Sequence, residues 1–543
     1  MFKKILPFFV IISTLSIYSQ NTVGVISATT DVYDGYMLYS DHKSTFLLNN
    51  CGQKLNEWTS EFTTGHAVYL LPNGNLLRAG RQEGKSNIGF GGVGGIVEIF
   101  DWDNNLLWQY EYNSNEQRQH HDVFPMPNGN VLILAATRKT NAEALQAGRL
   151  ASLTSTDVYN ERIIEVQPVG ANQGNIVWEW NVFDHLIQDF DSNKDNFGVI
   201  KDNPQKLDIN FLNGGNGEEN WLHVNSIQYY EKLNQIVVSS RNLSEIWVID
   251  HSTTTAEAAT GSGGTYGKGG DFLYRWGNPQ TYKHGNEADR KLFGQHYPHF
   301  IAEGLPDAGK IIVFNNGNGR DPDFSEVYKF APPLKSDGTY EYTDDIAFTP
   351  QAPEFIYSNQ STSPSPFYSA ILSGAQQLPN GNVLICQGKQ GNIFEIDSNN
   401  NIVWQYINPI KGDGTIHTQH VVADNLDNQI FRALKYPKDY SAFNGRTLTP
   451  GNPIEINPDL SPCSILANEN ITFIENIKFA NPTNGKIDFN IELDKVAVYS
   501  ILGKKLVEFS KSENIDFSNL KPGLYLLKLT KGNKNTVKKI IKK

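Results

Sequence analysis

The sequence predicts an all-β chain, a six-bladed β-propeller followed by a small C-terminal β-sandwich. Three observations carry that expectation. Residues 66–77 (HAVYLLPNGNLL), 121–132 (HDVFPMPNGNVL) and 373–384 (SGAQQLPNGNVL) repeat one pattern: an apolar strand, a Pro-Asn-Gly-Asn turn, and a second apolar strand. After such a hairpin comes a strand with an acidic end, as in Ile96 to Ile99 or Ile393 to Asp397. A polar turn then leads to a strand centred on tryptophan: Trp108, Trp178 or Trp404. Four short antiparallel strands per unit make a propeller blade. Finally, 543 residues exceed one ordinary core, and 46 Gly with 11% aromatics and only 3 Met favour strands and tight turns.

Taken in order, residues 1–20 (MFKKILPFFVIISTLSIYSQ) carry two lysines, an apolar stretch and a polar end, the pattern of a secretory signal. No other stretch is long and apolar enough to cross a bilayer. The propeller is expected over 21–450. Two diverged units lie between the clear repeats, one opening at His223 and one at His296. The N-terminal part supplies only later strands (GYMLYS, TFLLNN, KLNEW), so the run from His417 to Leu434 is expected to provide the missing first strand and close the ring. The Asn-Gly pairs are expected to supply the positive φ angles of tight hairpins. Insertions at 138–161, 182–220, 251–271 and 320–350 are read as loops over one face, able to form a lid. The Gly-rich piece GSGGTYGKGGD (261–271) lacks P-loop spacing and reads as a flexible loop. Residues 451–470 read as a linker and 471–543 as a separate β domain.

Charge divides unevenly. Residues 471–543 hold 14 Lys against 7 acidic side chains, a balance of +7, which leaves −19 for the rest of a chain whose net charge is −12. So acidic a body is a poor nucleic-acid binder, and an anionic substrate would need a local cationic pocket. Cys51, Cys386 and Cys463 are widely spread without a CxxC pair. They allow one disulfide and a spare thiol, with the pairing open, and no metal cluster.

The stretch from Trp221 to Arg241 reads as a hairpin that brings His223 and Arg241 to one end, a pairing suited to an anion. The repeat places these residues in a ring. First strands line the channel of a propeller, and alignment on the Pro-Asn-Gly turn puts His66 and His121 at one blade position. His223 and His296 fall at similar places, as does His417 or His420 in the closing blade, and Ser373 takes the slot in the fifth. Histidines in register at one axis can bind a transition metal. Arg241 argues for an oxyanion instead, with Asn225 as a neutral donor, and a histidine nucleophile beside it would suit sulfuryl or phosphoryl transfer.

The runs DWDNNLLWQYEY…HHDVFPMPNGNVL, WLHVNSI…IVVSSR and FGQHYPHFI…IIVFNNGNGR resemble the bacterial arylsulfate sulfotransferase family, across nearly all of residues 30–440. The resemblance implies a six-bladed exported propeller that uses no nucleotide-activated sulfate, cofactor or metal. It moves a sulfuryl group from an aryl sulfate donor to a phenolic acceptor through a sulfohistidine. Carried over by motif, His296 is the nucleophile, and His121, His223 and Arg241 surround the sulfuryl oxygens with Asn225 in support. His120 leaves the first of these ambiguous by one residue, and His66, His420 and His299 are further candidates for substrate binding. The resemblance also brings a homodimer as a partner, although the chain lacks the separate N-terminal β-domain that serves pairing in the best-known members. NPTNGK, VYSILGKKL and LKPGLYLLKL resemble the C-terminal sorting domain of the type IX secretion system. That implies contact with the secretion machinery and a cell-surface or extracellular destination via the periplasm. Two rivals remain at this stage: a non-catalytic surface propeller binding sulfated ligands, and a histidine-metal propeller enzyme.

Overall fold

The computed structural model describes residues 20–213, 219–360, 365–422, 425–466, 477–501, 503–532 and 534–543. The expected signal segment, up to residue 19, lies outside them. The described chain falls into two compact units, one reaching Asp459 and one covering the C-terminal residues from Leu460.

The first unit is the propeller. Blade 1 is built from Thr63–Leu70, Leu76–Arg81, Gly95–Phe100 and Leu106–Glu111, and blade 2 from Gln117–Pro125, Val131–Lys139, Val158–Val169 and Gln173–Asn181. Blade 3 comprises Val224–Tyr230, Gln235–Ser240, Glu245–Asp250 and Tyr274–Trp276. Blade 4 comprises His296–Phe300, Ile311–Asn315, Glu326–Phe330 and Phe355–Ser358. Blade 5 has Gly374–Gln377, Val383–Gln387, Asn392–Ile396 and Ile402–Ile407, with Gly24–Ala28 added at its outer edge. In blade 6, Leu434–Pro437 pairs antiparallel with Gly35–Asp41, followed by Ser44–Leu48 and Lys54–Thr59. The ring thus closes with a strand from the far end of the unit. That strand starts where the expected run ends, because Leu38 pairs with Leu434 and Gly35 with Pro437.

The Pro-Asn-Gly turns differ from the expected tight hairpin. Gly74, Gly129 and Gly381 have φ of 90°, 86° and 95°, while the asparagines before them do not enter the positive-φ region. Proline holds its own φ near −65° and seeds a type I turn, so only the glycine is left-handed. The Leu71, Met126 and Leu378 carbonyls accept from these glycines at 2.9–3.0 Å. The Asn73, Asn128 and Asn380 side chains accept from the backbone two residues on, at 3.0–3.1 Å.

The tryptophans of the outer strands fasten each blade to the next. Indole Nε1 of Trp58, Trp108, Trp180, Trp276 and Trp404 donates, each time at 2.8 Å, to the carbonyls of Asp101, Gln173, Gly270, Pro350 and Asn50. Between blades 4 and 5 the contact is aromatic, Tyr357 on Phe394 with ring centroids 5.9 Å apart. Each indole buries a large apolar body and satisfies its one donor.

The insertions do not all crown one face. The loop after Asp250 leaves beside Gln235, and the one after Phe330 beside Ile311, at the blade ends opposite His223 and His296. Residues 261–271 are folded back on themselves, with Gly269 N–H on Gly263 O (3.0 Å) and Gly270 N–H on Thr260 O (2.9 Å). Part of the expected linker packs on the propeller: Gly451 N–H donates to Lys54 O at 2.8 Å, and Pro453 bridges to Gln53. Cys386 is a buried free thiol.

The second unit is a four-stranded antiparallel sheet. Lys486–Ser500 pairs with Lys505–Asp516 on one side and Gly523–Lys531 on the other, and Lys534–Lys542 takes the outer edge. Its core gathers Ile487, Phe489, Leu493, Val496, Val498, Phe517, Leu527 and Leu529.

Candidate active site

Five of the six inner strands carry a left-handed residue at the channel mouth, Leu434–Pro437 being the exception. His66 (φ 91°), His121 (49°), His223 (48°) and Ser373 (90°) are left-handed there, conformations that L-residues with side chains seldom adopt. Register slips between Thr64 and Val68, and between Val224 and Ser226, mark the same feature. In blade 4 the left-handed residue is Tyr297 (φ 55°). His296 therefore stands one residue before the slot that alignment gave it. That offset sets its ring apart from the other three in environment.

The hairpin of blade 3 has the expected geometry, with Val224 opposite Ser240 and Arg241 N–H donating to His223 O at 3.1 Å. His66 lies 5.8 Å from His121 and His121 4.8 Å from His223, ring centre to ring centre. Phe431 packs on His66 at 4.8 Å and completes the wall. Of the adjacent pair, His121 faces the cluster. His120 lies behind it, fully buried, between His121 Nδ1 (2.9 Å) and Glu161 Oε2 (3.0 Å).

The hydrogen bonds of two asparagines set two tautomers. Asn316 donates from Nδ2 to the carbonyls of Ser369 (2.7 Å) and Leu372 (2.9 Å), which turns its Oδ1 to His296 Nδ1 at 2.8 Å. Gly294 O also accepts from that nitrogen, at 3.1 Å. His296 Nδ1 must therefore carry the proton, and Nε2 keeps its lone pair. His223 is the reverse: Asn220 Nδ2 donates to its Nδ1 at 2.6 Å, so Nε2–H is a donor. Among the described residues no hydrogen bond occupies Nε2 of His121, His223 or His296.

Burial keeps these rings neutral, and at His223 and His296 the Arg241 cation adds to it. His296 is pushed down to about 3, first by burial and then by Arg241, against the pull of its Asn316 bond. His66 is pushed to about 4 by burial and by Arg81 and Arg432, and His121 and His223 are held well below the ordinary imidazole value. Arg241 makes no ion pair among the described residues; its Nη1 donates only to Asn242 Oδ1, at 3.3 Å. A cation without a carboxylate beside neutral imidazoles is a site for an anion.

A short loop that sequence reasoning passed over, residues 82–94, covers the mouth. Phe90 packs on His120, His121 and His223 with centroids 4.9–6.0 Å away. Gly92 O accepts from His121 N–H at 2.7 Å, and a Cβ at Gly92 would lie 2.1 Å from His121 Nε2. Below the histidines a buried pair closes the channel. Arg432 donates to Asp122 Oδ1 (2.6 Å) and Oδ2 (3.0 Å) and to the Tyr69 hydroxyl, and its guanidinium lies 4.2 Å over Tyr297. Beyond this layer, at the far mouth, opens an apolar cavity of about 960 Å³ lined by Phe124, Tyr229, Phe300, Tyr436 and Tyr440 among others. It holds none of the histidines.

The remaining candidates differ in their partners. Asn225 is fully buried, and its Nδ2 donates to Gln295 O at 2.8 Å, so it fastens the segment entering His296. His299 packs on Tyr297 at 4.5 Å, deeper along the strand. His420 faces Asp459 at 3.6 Å, and His417 bonds Val421 O at 2.7 Å; neither touches the cluster, because the closing strand begins only at Leu434. Phe431 and Arg432 hold the channel position expected of them. Among the described residues no group of three or more His, Cys, Asp or Glu could hold a metal ion.

The arylsulfotransferase (ASST) family profile matches residues 105–440, the stretch that builds most of this site. The chain belongs to that family. It is therefore a sulfotransferase of the arylsulfate class. A secretion system C-terminal sorting domain matches residues 479–543 and marks this arylsulfotransferase for export to the cell surface or beyond. No helix among the described residues is long and apolar enough to span a membrane. No curated sequence matches. Among solved structures the chain is similar to a protein of unknown function from Bacteroides caccae, at 11% identity over 74% of this chain and 98% of that one, with a TM-score of 0.38. Virginiamycin B lyase from Staphylococcus aureus is similar at 11% identity over 74% and 94%, TM-score 0.32. A protein from Lactobacillus plantarum is similar at 8% identity over 74% and 99%, TM-score 0.35.

Proposed function

We propose that this arylsulfotransferase works by a ping-pong transfer through a sulfohistidine at His296, from an aryl sulfate to a phenolic acceptor, without nucleotide-activated sulfate. The observation that carries the reading is the free lone pair on Nε2 of a neutral, buried His296 beside Arg241, which makes no ion pair among the described residues. In the first half-reaction, Nε2 bonds to sulfur and the bond from sulfur to the phenolic oxygen breaks. Arg241 and the Nε2–H of His223 donate to the sulfuryl oxygens, where charge is held throughout the transfer. Phe90, Phe431 and the 82–94 loop keep water from the N–S bond, which favours an acceptor hydroxyl over hydrolysis. In the second half-reaction the phenol oxygen attacks sulfur and Nε2 leaves.

Initial rates with a chromogenic aryl sulfate at several fixed phenol concentrations test the order of events. Parallel double-reciprocal lines are expected. Lines that converge would mean donor and acceptor bind together, and would overturn the covalent intermediate.

A further inference from the structure

The second histidine of blade 2 has a role that the transfer described above does not use. Both ring nitrogens of His120 are engaged, Nδ1 by His121 Nδ1 and Nε2 by Glu161 Oε2. Glu161 lies on the third strand of blade 2, opposite Ala136, and is 2% exposed. Its other oxygen accepts from Val224 N–H at 3.0 Å, at the start of the strand that follows His223. Among the described residues His120 is the one basic side chain paired with Glu161. A buried carboxylate needs a partner that can carry positive charge, since burial without one disfavours its ionised form. The three groups form one file, from a buried carboxylate to a ring at the substrate cluster.

We propose that Glu161, His120 and His121 are a proton relay that serves as general acid and base for the sulfuryl transfer. This rests on the sulfohistidine reading. In the resting relay His120 carries protons on both nitrogens, one donated to Glu161 and one to His121 Nδ1, which puts the His121 proton on Nε2. When His296 Nε2 bonds to sulfur, the electron pair of the breaking S–O bond goes to the phenolic oxygen. That oxygen takes the proton of His121 Nε2 while His121 Nδ1 takes the one from His120 Nδ1. His120 ends neutral, still donating through Nε2 to Glu161. In the return step the acceptor hydroxyl gives its proton to His121 Nε2, and the relay runs back to its starting state. His121 alone would not store this proton, because burial and the surrounding imidazoles disfavour its charged form.

The test is a leaving-group series on the whole enzyme. Glu161→Gln keeps an oxygen for Val224 N–H but removes the anion that supports charge on His120. With 4-nitrophenyl sulfate, whose phenolate leaves without a proton, kcat/KM is expected to stay within about threefold of the parent. With phenyl sulfate, whose phenol has a pKa near 10, it is expected to fall by about 10²–10³. An equal fall across the series would make Glu161 a structural residue, and no fall would remove the relay. If Glu161→Gln does not fold, the parent decides: a shallow dependence of kcat/KM on leaving-group pKa supports the relay, and a steep one overturns it. If the parent transfers sulfuryl from no aryl sulfate, the sulfohistidine reading fails instead.

Discussion

At the scale of single residues, two asparagines divide the labour of two similar rings. Asn316 accepts from His296 Nδ1 and leaves a lone pair on Nε2; Asn220 donates to His223 and leaves a hydrogen-bond donor. Asn316→Ala is expected to lower kcat by about tenfold to a hundredfold, since the ring loses its tautomer and aim. It should also cost about 1–3 kcal/mol of stability, because the Ser369 and Leu372 carbonyls lose their donor; kinetics and thermal unfolding read the two effects. His121, His223, Arg241 and His296 were legible because histidine in register with a repeat is a pattern. Asn316, Asn220, Glu161 and Arg432 were not. Each acts from another strand or loop through a contact that only folding creates, and the chain distance from His120 to Glu161 gives no hint of a 3.0 Å pair.

At the scale of elements, the inner-strand bulges and the 82–94 loop shape the mouth. The Pro-Asn-Gly repeat announced the hairpins, yet not the left-handed residue six positions before each proline, since histidine and serine are not residues that signal it. The loop escaped notice because Gly-Phe-Gly-Gly has no strand or helix period. Gly92→Ala puts a Cβ against His121 at a φ of +90°. The loop must lift, at a strain of about 1–3 kcal/mol. Sulfuryl transfer should fall at least about tenfold while hydrolysis of the donor to free sulfate rises relative to it. Comparing sulfate release with phenol sulfation in that variant checks the loop's part in excluding water; an unchanged ratio would deny it.

At the scale of the molecule, closure and burial govern stability. The six-fold architecture was legible from the repeat, and ring closure by the far end followed from a missing strand; its register, Leu38 on Leu434, was not, since four residues carry little pattern. A chain ending after residue 466 retains the closing strand, and is expected to fold and transfer sulfuryl. One ending after residue 430 lacks Leu434–Pro437 and is expected to be insoluble or unfolded by circular dichroism. The histidines also set the acid response. His66 and His296 have folded pKa values of about 4 and about 3, below the ordinary 6.5. Above that value folded and unfolded states hold the same protons at these rings. Below it the unfolded chain takes up protons that the folded one refuses. Stability is therefore lost as pH falls from about 6.5 towards about 4 through His66 and about 3 through His296, at up to ~1.4 kcal/mol per pH unit for each ring. Denaturant titrations at pH 7.5 and 5 are expected to show the lower midpoint at pH 5, with turnover of the still-folded enzyme little changed because His296 stays neutral.

A ping-pong enzyme must hold the sulfuryl group on one of its own residues between donor and acceptor. The direct measurement is mass spectrometry of peptides from enzyme quenched under alkaline conditions after mixing with an aryl sulfate and no phenol. A sulfuryl adduct on the peptide bearing His296, removed when phenol is added and lost in His296→Ala, is the predicted result. An adduct on another residue, or none while phenol sulfation proceeds in the same enzyme, would contradict it.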